Sequence, residues 1–310
     1  MYRIAIEALY KWKNSKHRKP LIIEGARQVG KTWLMKEFGD KAYRDTVYIN
    51  FDANSVMAEL FASDLKTERL IMGLELYAER KIDPENTLLI FDEVQEVPRA
   101  LSALKYFYEN APQYHIICAG SLLGIALHEG TSFPVGKTDF LKLYPLSFRE
   151  FLMAMGDERL AKLLDARDYP LITSFRQMYI DALKYYYFVG GMPEAVQSFT
   201  EDRDFNEVRT IQKNILTSYE QDFSKHAPNE IVPKIRMIWN SIPSQLAKEN
   251  KKFVYGLVRE GGRAKSLKTY RERFGPQLSV RTSMADYKRE DWLVNLPLYA
   301  IETIGMEMIG

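Results

Sequence analysis

The sequence contains a single cysteine, Cys118, among its 310 residues. One cysteine cannot form a disulfide within the chain, which excludes the disulfide-stabilised scaffolds of small secreted proteins. Cys118 lies in the apolar run YHIICAG, and this position predicts a thiol buried in the core. The cysteine content therefore favours a reducing compartment.

Long hydrophobic runs are also missing. No apolar run approaches the roughly 18 residues that a membrane-spanning helix requires. The first residues, MYRIAIEALYKWKNSK, have neither the apolar core nor the small-residue cleavage site of a signal peptide. We therefore expect a cytoplasmic protein that has no contact with a membrane.

The chain has almost no net charge, because 43 Lys and Arg residues oppose 41 Asp and Glu residues, for a net charge of +2. This balance excludes a globally basic nucleic-acid binder, so any such contact must come from a local patch. Hydrophobic residues make up 46% of the chain, which is enough for a sizeable core and predicts two domains.

Short apolar segments alternate with helical patterns in the N-terminal half. The predicted strands are residues 21–24, 46–51, 87–91, 114–119 and 139–144, and predicted helices include 32–38, 68–81 and 98–110. Strands that are apolar on both faces and alternate with helices predict a parallel sheet covered on both sides. Right-handed crossovers then give an α/β, doubly wound fold of about five strands.

The pattern changes near Pro145. A capping box from Ser147 to Glu150 predicts the start of a helix, and further helices are predicted at 165–189, 193–200, 203–223 and 228–239. The segment that follows is basic and has little regular pattern. We therefore predict a core at 1–145 that includes an N-terminal helix, a mainly helical region at 146–252 and a C-terminal piece at 253–310.

The segment GARQVGKT, from Gly25 to Thr32, fits the phosphate-loop pattern G-x-x-x-x-G-K-[ST] between an apolar strand and a helix. Its backbone N–H groups and the positive end of the helix would face phosphates. Lys31 would contact the β- and γ-phosphates, and the Thr32 hydroxyl would bind Mg²⁺. The predicted nucleotide-binding residues are Gly25, Ala26, Arg27, Gln28, Val29, Gly30, Lys31, Thr32 and Trp33.

Two adjacent acids follow the third predicted strand in the segment LLIFDEVQEV. The carboxyl edge of a parallel sheet is where ligands bind in open α/β folds. Asp92 would hold Mg²⁺ through water, and Glu93 would act as the catalytic residue that polarises the attacking water. Both acids could instead be solvated at the start of a loop, but the neighbouring phosphate loop favours the catalytic interpretation.

Two further polar residues have open interpretations. Ser121 follows the fourth predicted strand in AGS, where it could contact the γ-phosphate or the water, or could cap a helix. Arg149 follows the fifth strand, where it could reach the nucleotide of a neighbouring subunit or lie on a helix surface. Both alternatives remain for each residue.

Several motifs together resemble the bacterial and archaeal AAA-type ATPases that carry a C-terminal domain of unknown function. They are GARQVGKT, FDEVQ, AGS, FPVGKTDFLKLYPLSFREF and VGGMPEAV, and the resemblance covers essentially the whole chain. It implies an ASCE-type P-loop core with an ATP·Mg²⁺ site, in which Lys31 and Thr32 bind phosphate and metal and Asp92 and Glu93 form the acidic pair. It also implies a helical lid, a winged-helix-like region and a restriction-endonuclease-like C-terminal domain.

The sequence departs from that family pattern near Gly261–Gly262. The segment KENKKFVYGLVREG resembles the start of the winged-helix region, whereas RAKSLKTYRERFGP and RTSMADYKREDWLVNLPLYAI resemble the extreme C-terminus of the family. The stretch that would carry the nuclease-like core and its Glu-x-Lys pattern is absent. We interpret this as an internal deletion that leaves 253–310 as a remnant of the C-terminal domain.

The favoured function is Mg²⁺-dependent ATP hydrolysis coupled to a conformational change on a macromolecular client. The expected ligands are ATP and Mg²⁺, the expected client is DNA or protein, and a homo-oligomer is the expected assembly. A non-hydrolysing, nucleotide-dependent scaffold or DNA-binding adaptor is the first alternative. A small-molecule kinase with the same loop is the second, although the long helical region after Tyr144 resembles a packed domain more than a kinase lid.

Overall fold

The computed structural model describes residues 1–120, 136–227, 230–257 and 278–304, together with 272, 275 and 276, and leaves aside the side chains at 224–226 and 245–257. The chain divides into two compact units, Met1–Pro145 and Leu146–Gly310. Each unit contains hydrophobic clusters formed from its own residues.

The first unit is built on a parallel sheet of five strands. The strands are β1 (Leu21–Glu24), β2 (Asp45–Asn50), β3 (Thr87–Asp92), β4 (His115–Ala119) and β5 (Asp139–Lys142). Their order across the sheet is β2-β3-β4-β1-β5, and every neighbouring pair is parallel. The predicted α/β fold class is therefore confirmed, and the C-terminal ends of β1 and β3 lie on the same edge of the sheet.

Helices cover both faces of this sheet. They are α1 (Ala5–Lys13), α2 (Lys31–Ala42), α3 (Ser55–Ala62), α4 (Thr67–Ala78) and α5 (Pro98–Asn110). In β3, Leu88 and Ile90 pack in a cluster with α1 and α2, whereas Leu89 and Phe91 pack in a second cluster with α3, α4 and α5. This alternation explains why the strand is apolar at every position from Leu88 to Phe91.

Helix α3 was not among the predicted helices. It has only eight residues, which is too short for a clear helical periodicity in the sequence. The Asn54 side chain caps it by accepting a hydrogen bond from the Met57 N–H at 3.1 Å. Met57 and Phe61 are buried, so the helix is held by packing against the sheet.

The second unit is mainly helical. Its helices are α6 (Phe148–Ala154), α7 (Glu158–Ala166), α8 (Tyr169–Ser174), α9 (Arg176–Val189), α10 (Pro193–Asp202), α11 (Phe205–His226) and α12 (Val232–Leu257). The capping box that opens α6 forms as predicted, with reciprocal hydrogen bonds between Ser147 and Glu150. The predicted boundary at 252 falls inside α12 and remains a prediction.

The prediction of a single helix at 165–189 is wrong. The chain instead passes from the end of α7 into the short helix α8 and then into α9. The cause is local, because the Asp168 carboxylate accepts a hydrogen bond from the Leu171 N–H at 3.1 Å and starts a new helix. Pro170 occupies the first turn of α8, where its missing N–H costs nothing.

A small mixed sheet follows in the second unit. Its strands are β6 (Ser279–Ser283), β7 (Lys288–Arg289) and β8 (Leu293–Pro297), in the order β6-β8-β7, with β6 parallel and β7 antiparallel to β8. Tyr299, in a 3₁₀ turn after β8, stacks on Tyr179 of α9 with ring centroids 5.1 Å apart.

The sequence junction near Gly261–Gly262 lies outside the described residues. The internal deletion inferred from the sequence therefore remains a prediction.

None of the helices within the described ranges is both long and apolar enough to cross a membrane. The longest, α12, has 26 residues and includes Pro243.

Candidate functional site

The loop between β1 and α2 contains residues in unusual backbone conformations. Gln28 and Gly30 have φ angles of 63° and 92°, in the left-handed region. Left-handed residues in a short loop are typical of backbone nests, which turn N–H groups toward an anion. Gly25 lies so close to β5 that a Cβ would overlap the carbonyl oxygen of Leu143. Only glycine therefore fits the first position of this loop.

Lys31 is the first residue of α2 and its side chain folds back over the loop. The ammonium donates hydrogen bonds to the carbonyl oxygens of Gly25 and Ala26, each at 2.9 Å. Burial lowers the pKa of Lys31, while the nearby Glu93 and Asp92 carboxylates act in the opposite direction. The site thus places a buried cation at the positive end of a helix, which is the electrostatic requirement for binding phosphate.

Asp92 is the last residue of β3 and accepts three hydrogen bonds. The Thr32 hydroxyl and the Tyr48 hydroxyl both donate to Oδ2, at 2.6 Å and 2.9 Å, and the Glu93 N–H donates to Oδ1 at 3.1 Å. Asp92 is only 4% exposed, so these contacts stabilise a buried carboxylate. The structure therefore brings together Thr32 and Asp92, 60 residues apart in the chain.

Glu93 follows directly in a strained backbone conformation. Its φ angle is 51°, which is left-handed and unfavourable for a residue with a side chain. A 3₁₀ turn, Val94–Glu96, begins immediately after it. The Gln95 side-chain amide donates to Glu93 Oε2 at 2.5 Å, while the Gln95 Oε1 is buried and accepts no hydrogen bond from the residues described. The turn therefore fixes the position of the Glu93 carboxylate.

Arg3 supports the loop from the N-terminal segment. Its guanidinium is buried, donating from Nη1 to the Val29 carbonyl oxygen at 2.9 Å and from Nη2 to the Tyr144 carbonyl oxygen at 2.5 Å. Arg3 thus joins the loop to the backbone that follows β5. No motif in the sequence identifies this residue, because its role depends on the fold.

The predicted site residues that the structure describes occupy one continuous segment, 25–33, and the end of β3. Within the loop, Ala26, Arg27 and Gln28 are exposed, Val29 is buried, and Trp33 on α2 is 40% exposed. Ser121 lies outside the described residues, although β4, which precedes it, is paired with β3. The individual catalytic and binding roles of these residues remain predictions.

Tyr48, Gln95 and Arg3 were not predicted as site residues. Tyr48 lies between Val47 and Ile49 in β2, and those two residues pack on the face covered by α3, α4 and α5. The period-two alternation of a strand therefore places Tyr48 on the α2 side, which was a signal available in the sequence. Gln95 was part of the motif FDEVQ, but its partner depends on the turn after β3.

Arg149, whose role the sequence left open, lies at the start of α6 and forms an ion pair with Asp165. Its side chain is 23% exposed.

The donor set at the end of β3 fits Mg²⁺. A hydroxyl and a carboxylate supply hard oxygen ligands, and Mg²⁺ typically takes one or two protein ligands while substrate phosphates and waters supply the rest. Within the described part of the chain, no group of three or more His, Cys, Asp or Glu side chains could hold a metal ion by itself. A cation bound by Thr32 and Asp92 would therefore need phosphate oxygens and waters to complete its coordination.

Comparison with protein families agrees with this geometry. Residues 17–152 match the family described as an AAA domain, and residues 180–274 match a domain of unknown function, DUF8612. The first match contains the loop, Lys31, Thr32, Asp92 and Glu93, and it supports an AAA-type P-loop ATPase. The restriction-endonuclease-like C-terminal domain remains unconfirmed.

Individual similar proteins are distant. An uncharacterized protein of Haemophilus influenzae is 25% identical over 186 residues, which is 57% of this chain, and the chain spans 40% of that relative's length. The structure of C. elegans PCH-2 aligns with a TM-score of 0.37 and 14% identity, covering 69% of this chain and 66% of that one. The structure of Drosophila ORC bound to DNA aligns with a TM-score of 0.41 and 16% identity, at the same coverages.

Proposed function

We propose that this chain binds ATP together with Mg²⁺ and hydrolyses it. The observation that carries the proposal is the 2.6 Å hydrogen bond between the Thr32 hydroxyl and the Asp92 carboxylate, directly beside the phosphate-type loop. This hydrogen bond joins the residue that follows Lys31 to the residue that precedes Glu93, which supports a common site for the four side chains. The match of residues 17–152 to an AAA domain supports the same assignment.

The loop and the start of α2 would bind the triphosphate. The first N–H groups of a helix have no intrahelical acceptor, and together with the Lys31 ammonium they would stabilise the charge on the β- and γ-phosphates. Phosphate oxygens would replace the Gly25 and Ala26 carbonyls as the partners of Lys31. When bound, Mg²⁺ would neutralise charge on the phosphate oxygens.

Glu93 would act on the attacking water. Its carboxylate would accept a proton as the water oxygen bonds to the γ-phosphorus, and the bond from that phosphorus to the β–γ bridging oxygen would break to release ADP. The strained backbone at Glu93 and the hydrogen bond from Gln95 hold the carboxylate in place for this step. Such positioning supplies much of the catalysis in phosphoryl transfer.

Steady-state ATP turnover with matched variants tests this function. Lys31→Ala is expected to lose both ATP binding and turnover, and Glu93→Gln to keep binding while turnover falls at least about 100-fold. Lys41→Ala, on the same helix, and Glu96→Gln, in the same turn, change exposed side chains and serve as controls. Unchanged turnover in Glu93→Gln would contradict the assignment of the catalytic base.

The same assay distinguishes hydrolysis from simple binding. ATP binding without turnover in the unmodified chain would favour the non-hydrolysing scaffold or adaptor. We also propose a macromolecular client, a homo-oligomeric assembly and a conformational change coupled to ATP. Turnover with and without duplex DNA tests the client, and sedimentation with and without ATP tests the assembly.

A further inference from the structure

We propose that Tyr48 is a positioning residue of the metal site, which holds the Asp92 carboxylate in the orientation that Mg²⁺ requires. This inference rests on the proposed function and deepens it. The phenol hydroxyl donates to Asp92 Oδ2 at 2.9 Å, the same oxygen that accepts the Thr32 hydroxyl. Tyr48 therefore contacts one proposed metal ligand, Asp92, directly and is linked to the other, Thr32, through the oxygen that accepts both hydrogen bonds.

The register of the sheet determines this contact. Tyr48 is opposite Ile90 in the β2–β3 ladder, and Asn50 is opposite Asp92, so the phenol reaches forward along its strand to the end of β3. Val47 and Ile49 are buried on the other face and anchor β2 in its register. A side chain shorter than tyrosine at this position would not span the two-residue offset to Asp92.

The Tyr48 ring is also fixed from the side of α2. The Lys36 ammonium lies 3.9 Å from the ring centroid, and the ring packs against the hydrophobic cluster that includes α2. A cation over the face of an aromatic ring is a favourable arrangement. Because Lys36 follows Thr32 by one helical turn, the phenol connects β2, β3 and the helix that carries Thr32.

The three hydrogen bonds to Asp92 have different consequences for the metal. The Glu93 N–H fixes Oδ1 through the backbone, and the Thr32 hydroxyl would itself be a metal ligand. Tyr48 is the donor that holds Oδ2 without taking part in coordination. Hydrogen-bond partners of metal-binding carboxylates typically account for about 10- to 100-fold in metal affinity.

The test measures Mg²⁺ rather than turnover. ADP binding is followed by calorimetry at fixed ADP while Mg²⁺ is varied, for the unmodified chain, Tyr48→Phe and Tyr43→Phe. We expect Tyr48→Phe to raise the half-saturating Mg²⁺ concentration at least about tenfold and to leave ADP affinity in EDTA unchanged. Tyr43→Phe is the matched control, because its hydroxyl bonds to His115 Nδ1 at 2.6 Å and not to the metal site.

A second variant keeps the test decisive if Tyr48→Phe folds poorly. Lys36→Met removes the cation over the ring but keeps the hydroxyl, and we expect a smaller increase in half-saturating Mg²⁺ in the same direction. A Mg²⁺ dependence within twofold of the unmodified chain in the folded variants would overturn the role of Tyr48 and leave the proposed function intact. Failure of the unmodified chain to bind nucleotide would overturn both.

Discussion

Arg3 is a buried cation that supports the phosphate-type loop, although it is not among the residues proposed to contact nucleotide or metal. Its two guanidinium nitrogens bond to carbonyl oxygens of Val29 and Tyr144, one in the loop and one after β5. The planar guanidinium presents five donors on separate nitrogens and can reach acceptors on two different segments, whereas the three donors of an ammonium all lie on one nitrogen. The loop therefore depends on a residue that precedes the first strand.

Arg3→Ala is expected to destabilise the first unit. The substitution leaves two carbonyl oxygens without this donor, which costs about 2–4 kcal/mol and corresponds to a fall of roughly 5–10 °C in the melting temperature. Arg3→Lys should give an intermediate value, and Lys11→Ala, an exposed change on α1, should have little effect. Thermal melting followed by circular dichroism provides the measurement. Equal melting temperatures for Arg3→Ala and Lys11→Ala would contradict the supporting role.

At the site, the residues predictable from the sequence are those in contiguous motifs. Lys31, Thr32, Asp92 and Glu93 could be proposed because residue type and spacing carry the chemistry. Tyr48 and Arg3 reach their partners across 44 and 26 residues, respectively, so strand order and register must be known first. The sequence alone cannot show which side chain reaches a carboxylate from a neighbouring strand.

Among the elements, β4 begins with a buried histidine that responds to pH. The His115 ring is 7% exposed, bonds to the Tyr43 hydroxyl and packs edge-on with Trp12 of α1. Burial, with smaller effects of Arg18 and Lys13, lowers the pKa of His115 to about 4. Burial also raises the pKa of the Tyr43 hydroxyl, so the pair stays neutral at physiological pH.

This lowered pKa predicts a loss of stability in acid. Between pH 6.5 and about 4 the unfolded chain binds a proton at His115 that the folded chain does not, so stability falls as pH falls through that window. In His115→Gln, the melting temperature is expected to depend less on pH across this range. His17→Gln, an exposed histidine in the turn after α1, is the control. Parallel profiles for His115→Gln and the unmodified chain would rule out this source of acid sensitivity.

The elements themselves differ in how well the sequence predicts them. Strands β1, β3 and β4 are mainly apolar and almost fully buried, so hydrophobicity alone locates them within one or two residues. The break between α7 and α8 is missed because helical periodicity persists across it, while the cap at Asp168 is a local polar contact. Short helices and interrupted helices are therefore where the pattern of apolar residues is least informative.

For the whole molecule, the separate hydrophobic clusters predict separate unfolding events. The two clusters of the sheet lie within Met1–Pro145, and the third lies within Leu146–Gly310. Calorimetry of the full chain should resolve two transitions, and ADP with Mg²⁺ should raise only the transition of the unit that holds the loop. A single transition that moves as one with nucleotide would contradict this independence.

Cys118 gives the molecule a practical chemical property. The thiol is fully buried in the middle of the sheet, and burial raises its pKa, so little of the reactive thiolate forms at neutral pH. A cysteine introduced at an exposed position, such as Leu76, would then be the one thiol that reacts with a maleimide dye. Fluorophores or spin labels can therefore be attached at chosen sites without first removing the native cysteine.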